Sequence, residues 1–324
     1  LDVHSPPIAT RAQRCFFIDQ PYGTMMTWGF IVNSRSGGGQ GLRLKLALQS
    51  GMAEVPVCDL ARSDLRVWLL GPGMGLHGLV VAGGDGTIHW LAHIMRELPN
   101  PPIILPWPLG TGNDCAQYLG WPRSPATFSA VTALMAGIAG YGVKNVDRWL
   151  LRGPNWERSL VNYMSIGMDA RIALAFDRAR RRHPHVYRNP MINKIGYAVH
   201  SLAETGRSLS SQLLVDGAVV PSWTRAMVWS NIPSYAGGAP LSPTSLADDG
   251  QLECQAVGPM LSFALALSPV RVSRCLSSAD HYHLRLSHPT AMQIDGEPLV
   301  AEAGAYTISH DGQARFAQRS IIRP

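Results

Sequence analysis

Five cysteines in 324 residues, at positions 15, 58, 115, 254 and 275, supply neither an even disulfide set nor the paired spacing of a structural zinc site. They read as reduced, cytosolic thiols. His281, His283 and His288 lie near no cysteine or carboxylate that would complete a metal set, so zinc is not expected. Long apolar runs are missing too: Met260 to Val270 is the longest, well short of the roughly 20 residues of a membrane-spanning helix. Residues 1–27 carry Asp2, Arg11, Arg14 and Asp19 without a long apolar core, and are expected to be an N-terminal extension, neither a secretory signal nor a span. Membrane contact would then be peripheral. There is no Walker sequence, and Gly71-Pro72-Gly73-Met74-Gly75 fails the dinucleotide fingerprint because Leu76 stands where the last glycine belongs. The catalytic-loop and Asp-Phe-Gly signatures of protein kinases are absent, as are fixed-period repeats and low-complexity segments.

What is present allows a substantial core. With 46% hydrophobic residues, the chain is long enough for two domains. The net charge of +6 owes much to Arg178-Ala179-Arg180-Arg181-Arg182, followed by His183, His185, Arg188 and Lys194. Such a run suits an anionic surface or a solvated helix face. No zinc-finger spacing or aromatic-interleaved basic motif accompanies it, so nucleic acid is not expected as a partner.

Three glycine turns carry the strongest signal. Gly83-Gly84-Asp85-Gly86-Thr87 follows the apolar run Gly78–Ala82 and precedes Ile88, Leu91, Ile94, Met95 and Leu98 at helical spacing. Met25–Val32 reads as a strand ending in Asn33-Ser34-Arg35-Ser36-Gly37-Gly38-Gly39, with a helical pattern from Gln40 to Gln49. Pro101–Trp107 is a third strand, opening after Pro108-Leu109 into Gly110-Thr111-Gly112-Asn113-Asp114. Glycines let backbone N–H groups approach a polyanion, and a helix start adds the positive end of its dipole. In an open parallel sheet the three turns would converge on one crevice. Asp85 would repel a bare phosphate, so its presence there implies Mg2+.

The second half reads as mainly β. Val146–Arg152 and Arg158–Ser165 are expected to form a hairpin around Gly153-Pro154-Asn155, and Leu213–Pro221 another around Asp216-Gly217. Asp169–Arg182 reads as a helix, and further strands are expected near residues 224–230, 251–257, 282–286, 291–294 and 305–309. The last of these could return to the first domain.

Eight ordered pieces, NSRSGG at Asn33, VAGGDGTIHW at Val81, PLGTGND at Pro108, VDRW at Val146, NYMSIGMDA at Asn162, NIPSYAGG at Asn231, ADDGQLE at Ala247 and MQIDGEP at Met292, give the chain a resemblance. From about Gly29 to Arg315 it resembles the diacylglycerol kinase family of the eukaryotic type. Sphingosine and ceramide kinases are similar in the first half but usually carry Ser for the first Gly of GGDGT, and NAD kinases lack the second half. Two departures lie beside the nucleotide: Ser34 stands where many relatives have Pro, and Pro106-Trp107 where they have aliphatic residues.

The resemblance implies a Rossmann-like ATP-binding α/β domain, here residues 28–147, and a β-sandwich domain, 148–324, with the active site in the cleft between them. ATP and Mg2+ would be required. Phosphate binding would fall to Asn33, Ser36, Gly37, Gly38, Gly83, Gly84, Gly86, Thr87 and Thr111. Asp85 and Asp114 would hold water on the metal, with Asn113 and Asp147 behind them. Glu297 matches the proton acceptor proposed for related lipid kinases, and Asp295 its orienting neighbour, although Asp295-Gly296 alone would also suit an exposed turn. Asp249, in Asp248-Asp249-Gly250-Gln251, matches a structural Mg2+ ligand of some bacterial relatives, or is a plain acidic turn. Asn231, Pro233, Ser234 and Tyr235 would shape the lipid mouth. The expected reaction is phosphorylation of the primary hydroxyl of diacylglycerol at an acidic membrane surface. A kinase for another lipid alcohol is the rival in chemistry, and a nucleotide- and lipid-binding regulator the rival in class.

Overall fold

The computed structural model describes residues 17–18, 26–110, 112–183, 208–258 and 273–319. Thr111, the run Met260–Val270, most of 1–27 and the basic residues His185, Arg188 and Lys194 lie outside the described residues.

Continuous apolar runs without polar alternation require a strand covered on both faces. Gly78–Gly83 and Ile103–Pro108 are such strands, buried along their whole length. With Met26–Val32 and Val57–Asp59 they form the parallel part of a sheet, ordered 57–59, 26–32, 78–83, 103–108. Helices Gln40–Gly51, Leu65–Leu69, Asp85–Met95, Asp114–Tyr118 and Phe128–Gly137 connect and flank them. Two have side-chain caps: Asp64 accepts Val67 N–H and Thr127 accepts Ala130 N–H. The helix after GGDGT begins at Asp85, inside the motif and three residues before the expected Ile88, because Gly84 in extended conformation is its N-cap.

The second half is a sandwich. One layer is an antiparallel sheet ordered Ser273–Ala279, Leu252–Val257, Ala226–Ser230, Tyr163–Gly167, Thr290–Ile294, Glu297–Ala301. The other continues the first sheet through Gly304–Gln318, Gly142–Arg152, Glu157–Leu160, His281–Leu286 and the hairpin Leu213–Val215 with Ala218–Val219. His281–Leu286 alternates exposed and buried, turning Tyr282, Leu284 and Leu286 inward. They meet Trp149, Met164, Ile166, Trp229, Met292 and Ile308 in one core.

Two features differ from the sequence reading. The expected boundary at 147–148 falls inside the strand Gly142–Arg152. The single strand expected over Arg158–Ser165 is two, Glu157–Leu160 in the large sheet and Tyr163–Gly167 in the six-stranded one. The chain changes layer at Val161-Asn162, where the backbone N–H groups bond the Asp295 carboxylate instead of a neighbouring strand.

Gly304–Gln318 joins the halves. It pairs antiparallel with both His281–Leu286 and Gly142–Arg152, and Phe316 pairs with Ile104 in parallel. Phe316 is fully buried in the first core. Phe316→Ala is expected to cost about 3–5 kcal/mol, read as a lower urea midpoint in equilibrium unfolding.

Candidate functional site

The three glycine turns do meet. Leu109 N–H donates to the Gly83 carbonyl at 2.8 Å and Asn33 N–H to that of Ala82 at 2.9 Å, which sets the strand ends level. Gly84 and Gly110 touch through their backbones: a Cβ on Gly110 would fall 2.8 Å from Gly84 Cα. No side chain fits that contact. The Asn33 turn approaches from the other side, with Gly37 against the Leu109 carbonyl and Asn33 Nδ2 3.5 Å from Thr87 Oγ1. Ser36 N–H closes the turn on the Asn33 carbonyl, and Gly37, Gly38 and Gly39 all have positive φ. Ser34, the departure noted above, donates to Asp59, which also holds Lys45 at 2.8 Å.

Asp85 fastens two of these turns together. Its Oδ2 accepts Asp114 N–H at 3.1 Å, and its Oδ1 accepts Cys115 N–H at 3.1 Å and Asn162 Nδ2 at 3.2 Å. Burial, then the charge of Asp114, pushes its carboxyl up to about 7. Part of the residue reaches solvent, but the carboxylate is turned inward onto these donors. Asp114 is 1% exposed and accepts Tyr163 OH at 2.6 Å and the N–H groups of Gly237 and Gly238. Burial raises its carboxyl as well.

The second half brings its carboxylates to the same place. Thr290–Ile294 and Glu297–Ala301 form a hairpin whose turn is Asp295-Gly296, both with positive φ. Asp295 points inward, 1% exposed, accepting Val161, Asn162 and Tyr163 N–H at 2.9, 2.9 and 3.0 Å. Glu297 points outward and is exposed. Its carboxylate lies over the start of the helix Asp85–Met95, so close that a Cβ on Gly86 would fall 2.3 Å from Oε1.

Loops of this design, with an open carboxylate from the second half above them, coincide with two family models. The diacylglycerol kinase catalytic domain matches residues 27–140 and the diacylglycerol kinase accessory domain residues 159–298. The chain belongs to the diacylglycerol kinase family. It is 26% identical over 335 residues to diacylglycerol kinase 2 of Arabidopsis thaliana, across 91% of this chain and 46% of that protein. To diacylglycerol kinase zeta of Rattus norvegicus it is 27% identical, across 90% of this chain and 36% of the relative. The chain thus spans under half the length of these relatives. A diacylglycerol kinase crystal structure from Bacillus anthracis str. Sterne shares the fold, with a TM-score of 0.59 at 17% identity over 91% of this chain and 98% of that one.

Several residues that the diacylglycerol kinase resemblance singled out have other surroundings. Asn231, expected at the lipid mouth, is fully buried: its amide accepts Trp149 Nε1–H and donates to the carbonyls of Asp147 and Val161. Tyr235 is 4% exposed, its hydroxyl bonded to Asp169 and Gln293, while Pro233 and Ser234 are half-buried. The open part of that segment is Ala236 to Gly238. Asp147 is fully buried, its carboxylate accepting Gly250 N–H, His310 Nε2 and Gln313 Nε2. Asp249 is exposed and accepts Gln251 N–H. Among the described residues no group of three His, Cys, Asp or Glu side chains is placed to cage a metal ion. Asn113 Nδ2 holds the Gly110 carbonyl at 2.8 Å, whereas the buried Oδ1 atoms of Asn113 and Asn162 have no partner.

Asn162, Tyr163 and His89 were not assigned roles from the sequence. All three lie within the motifs VAGGDGTIHW and NYMSIGMDA, where Asn162 and Tyr163 form a polar pair at the head of the strand Tyr163–Gly167. His89 falls within the helical pattern after GGDGT, and nothing in the sequence marks its partner.

The raised Asp85 carboxyl has a consequence for stability. A group protonated in the fold up to about pH 7, but ordinary at about 3.9 when unfolded, stabilises fully below the lower value and loses that contribution as pH rises through the upper one. Without nucleotide or metal, raising the pH from about 4 to about 7 should therefore cost stability that Asp85→Asn does not lose. Paired urea titrations measure the difference in slope.

Proposed function

We propose that this chain is an ATP- and Mg2+-dependent kinase that phosphorylates the primary hydroxyl of diacylglycerol to give phosphatidate. The observation that carries this reading is the open Glu297 carboxylate lying against Gly86, at the mouth of three joined glycine turns. The hydroxyl is a poor nucleophile until a carboxylate takes its proton during attack on the γ-phosphorus of ATP. Glu297 has that freedom, whereas Asp295 is held by N–H groups and fixes the turn.

Asn33, Ser36, Gly37, Gly38, Gly83, Gly84, Gly86 and Thr87 would cradle the phosphates, chiefly through backbone N–H groups and the start of the helix Asp85–Met95. Mg2+ carried by the nucleotide would supply charge neutralisation on the phosphate oxygens. The residues fit such an ion held through its water: Mg2+ keeps several waters, and the unpartnered Asn113 and Asn162 oxygens can each accept a hydrogen bond from one. Asp85 and Asp114, whose oxygens already accept protein N–H and O–H groups, would shape that site from behind. Asp249, exposed in its turn, would take a second ion only together with backbone carbonyls.

We place the lipid at a membrane met peripherally, on the cytoplasmic side. The helix Met168–Arg182 packs against Thr290–Ile294 and Glu297–Ala301, the hairpin that presents Glu297. Its C-terminal end exposes Arg178, Arg180, Arg181 and Arg182, of which Arg180 and Arg181 pair with Asp177. Basic side chains at an acidic lipid surface contribute about 1 kcal/mol each before screening. No helix among the described residues is long and apolar enough to cross a membrane.

Three measurements test this. In mixed micelles with labelled ATP, diacylglycerol should be the preferred acceptor over ceramide, sphingoid bases and monoacylglycerol; a clear preference for another alcohol would replace it. Glu297→Gln should keep nucleotide affinity and lose at least about a hundredfold in turnover, and near-normal turnover removes Glu297 from the base role. Vesicles containing acidic lipid should pellet the protein better than neutral ones, a difference that Arg180→Ala/Arg182→Ala diminishes; equal pelleting leaves the arginines no role.

A further inference from the structure

The helix Asp85–Met95 buries Ile88, Leu91, Ala92, Ile94 and Met95 in the first core. A second stripe is polar. Asp85, His89, His93 and Arg96 recur every three or four residues and so share one face. Each finds its partner in the second half: Asp85 with Asn162 at 3.2 Å, His89 with Asp295 at 3.3 Å, His93 with Ser159 at 3.0 Å, and Arg96 with Glu157.

We propose that His89 is the positioning residue that registers the Glu297 hairpin against the phosphate-loop helix. His89 and Asp295 are both buried, so their bond exchanges with little water. With the carboxylate accepting, Nδ1 carries the donor hydrogen. The other donors to Asp295, the backbone N–H groups of Val161, Asn162 and Tyr163, belong to the second half. The Gly296 N–H is held by Gln293, also in that half. These bonds shape the turn and tie it to the start of the helix only indirectly, through Asn162, whose backbone N–H holds Asp295 while its side chain reaches Asp85. Asp85–Asn162, His93–Ser159 and Arg96–Glu157 also cross between the halves, but none is made by a side chain of the hairpin itself. Among the described side-chain bonds, His89–Asp295 is the one that ties the hairpin to the helix whose first turn carries Gly86. Because Glu297 is two residues from Asp295, a shift there moves the proton acceptor directly.

This inference rests on the reading of Glu297 as the base, and the experiment separates the two. In the full chain with diacylglycerol micelles, His89→Leu should lower kcat on the order of tenfold or more, since small misplacements of reacting groups are costly. Nucleotide Kd and lipid KM should move less than about threefold, because the glycine turns are untouched. An asparagine amide can place Nδ2 near the position of the imidazole Nδ1, whereas glutamine reaches toward that of Nε2. His89→Asn should therefore recover most of kcat and His89→Gln should not. A His89→Leu kcat within about twofold of wild type, or equal recovery by Asn and Gln, overturns the proposal. If His89→Leu fails to fold, the Asn and Gln pair alone decides. Loss of turnover in Glu297→Gln with normal turnover in His89→Leu sinks only the role of His89; normal turnover in Glu297→Gln sinks the base and its positioning together.

Discussion

A carboxylate withdrawn from water must be met by hydrogen-bond donors, and that requirement holds this molecule's working parts together. Asp85 is met by the start of the next helix and by Asn162. Asp114 is met by Tyr163 and the Gly237-Gly238 backbone, and Asp295 by Val161 to Tyr163 and His89. In each case donors come from a segment distant in sequence. Residues 161–163 serve all three carboxylates, so the chain's change of layer there and the assembly of the site are one event.

The long strand Gly304–Gln318 extends that coupling into the scaffold. By pairing with both halves it makes their sheets continuous, and its bulge between His310 and Gln313 brings both side chains onto Asp147. Asp147 also takes Gly250 N–H, while its own carbonyl is bound by Asn231, whose amide reaches Val161 as well. The acidic turn Asp248–Gly250 is thus linked through buried polar groups to the segment that holds Asp295. Polar networks in such surroundings are rigid when satisfied, which suits a site whose chemistry depends on position.

Asp295 and Glu297 show how two like residues acquire different chemistry. They flank a glycine in a tight turn, and the geometry of the hairpin sends one side chain into the protein and the other out over Gly86. The inward group is saturated with donors and serves as an anchor. The outward one keeps free lone pairs. Had the hairpin register slipped by one residue, the two sets of side chains would have exchanged faces.

The sequence by itself determined the pieces: apolar runs long enough only for strands, glycines where backbones touch, and a motif order sufficient to show the family. These are local properties of spacing and composition, which is why the strands at 78–83 and 103–108 and the helix 168–182 were legible. The break at Val161-Asn162 was not, because it depends on a carboxylate more than a hundred positions away that competes with the strand ladder for N–H groups. The same reason hid the buried cross-link of Asn231, the partners of Asp147, and the partner of His89. Sequence spacing states which atoms each segment can offer; only the packed chain decides which donor reaches which acceptor, because burial makes every unmet polar atom costly and leaves few arrangements that satisfy all of them.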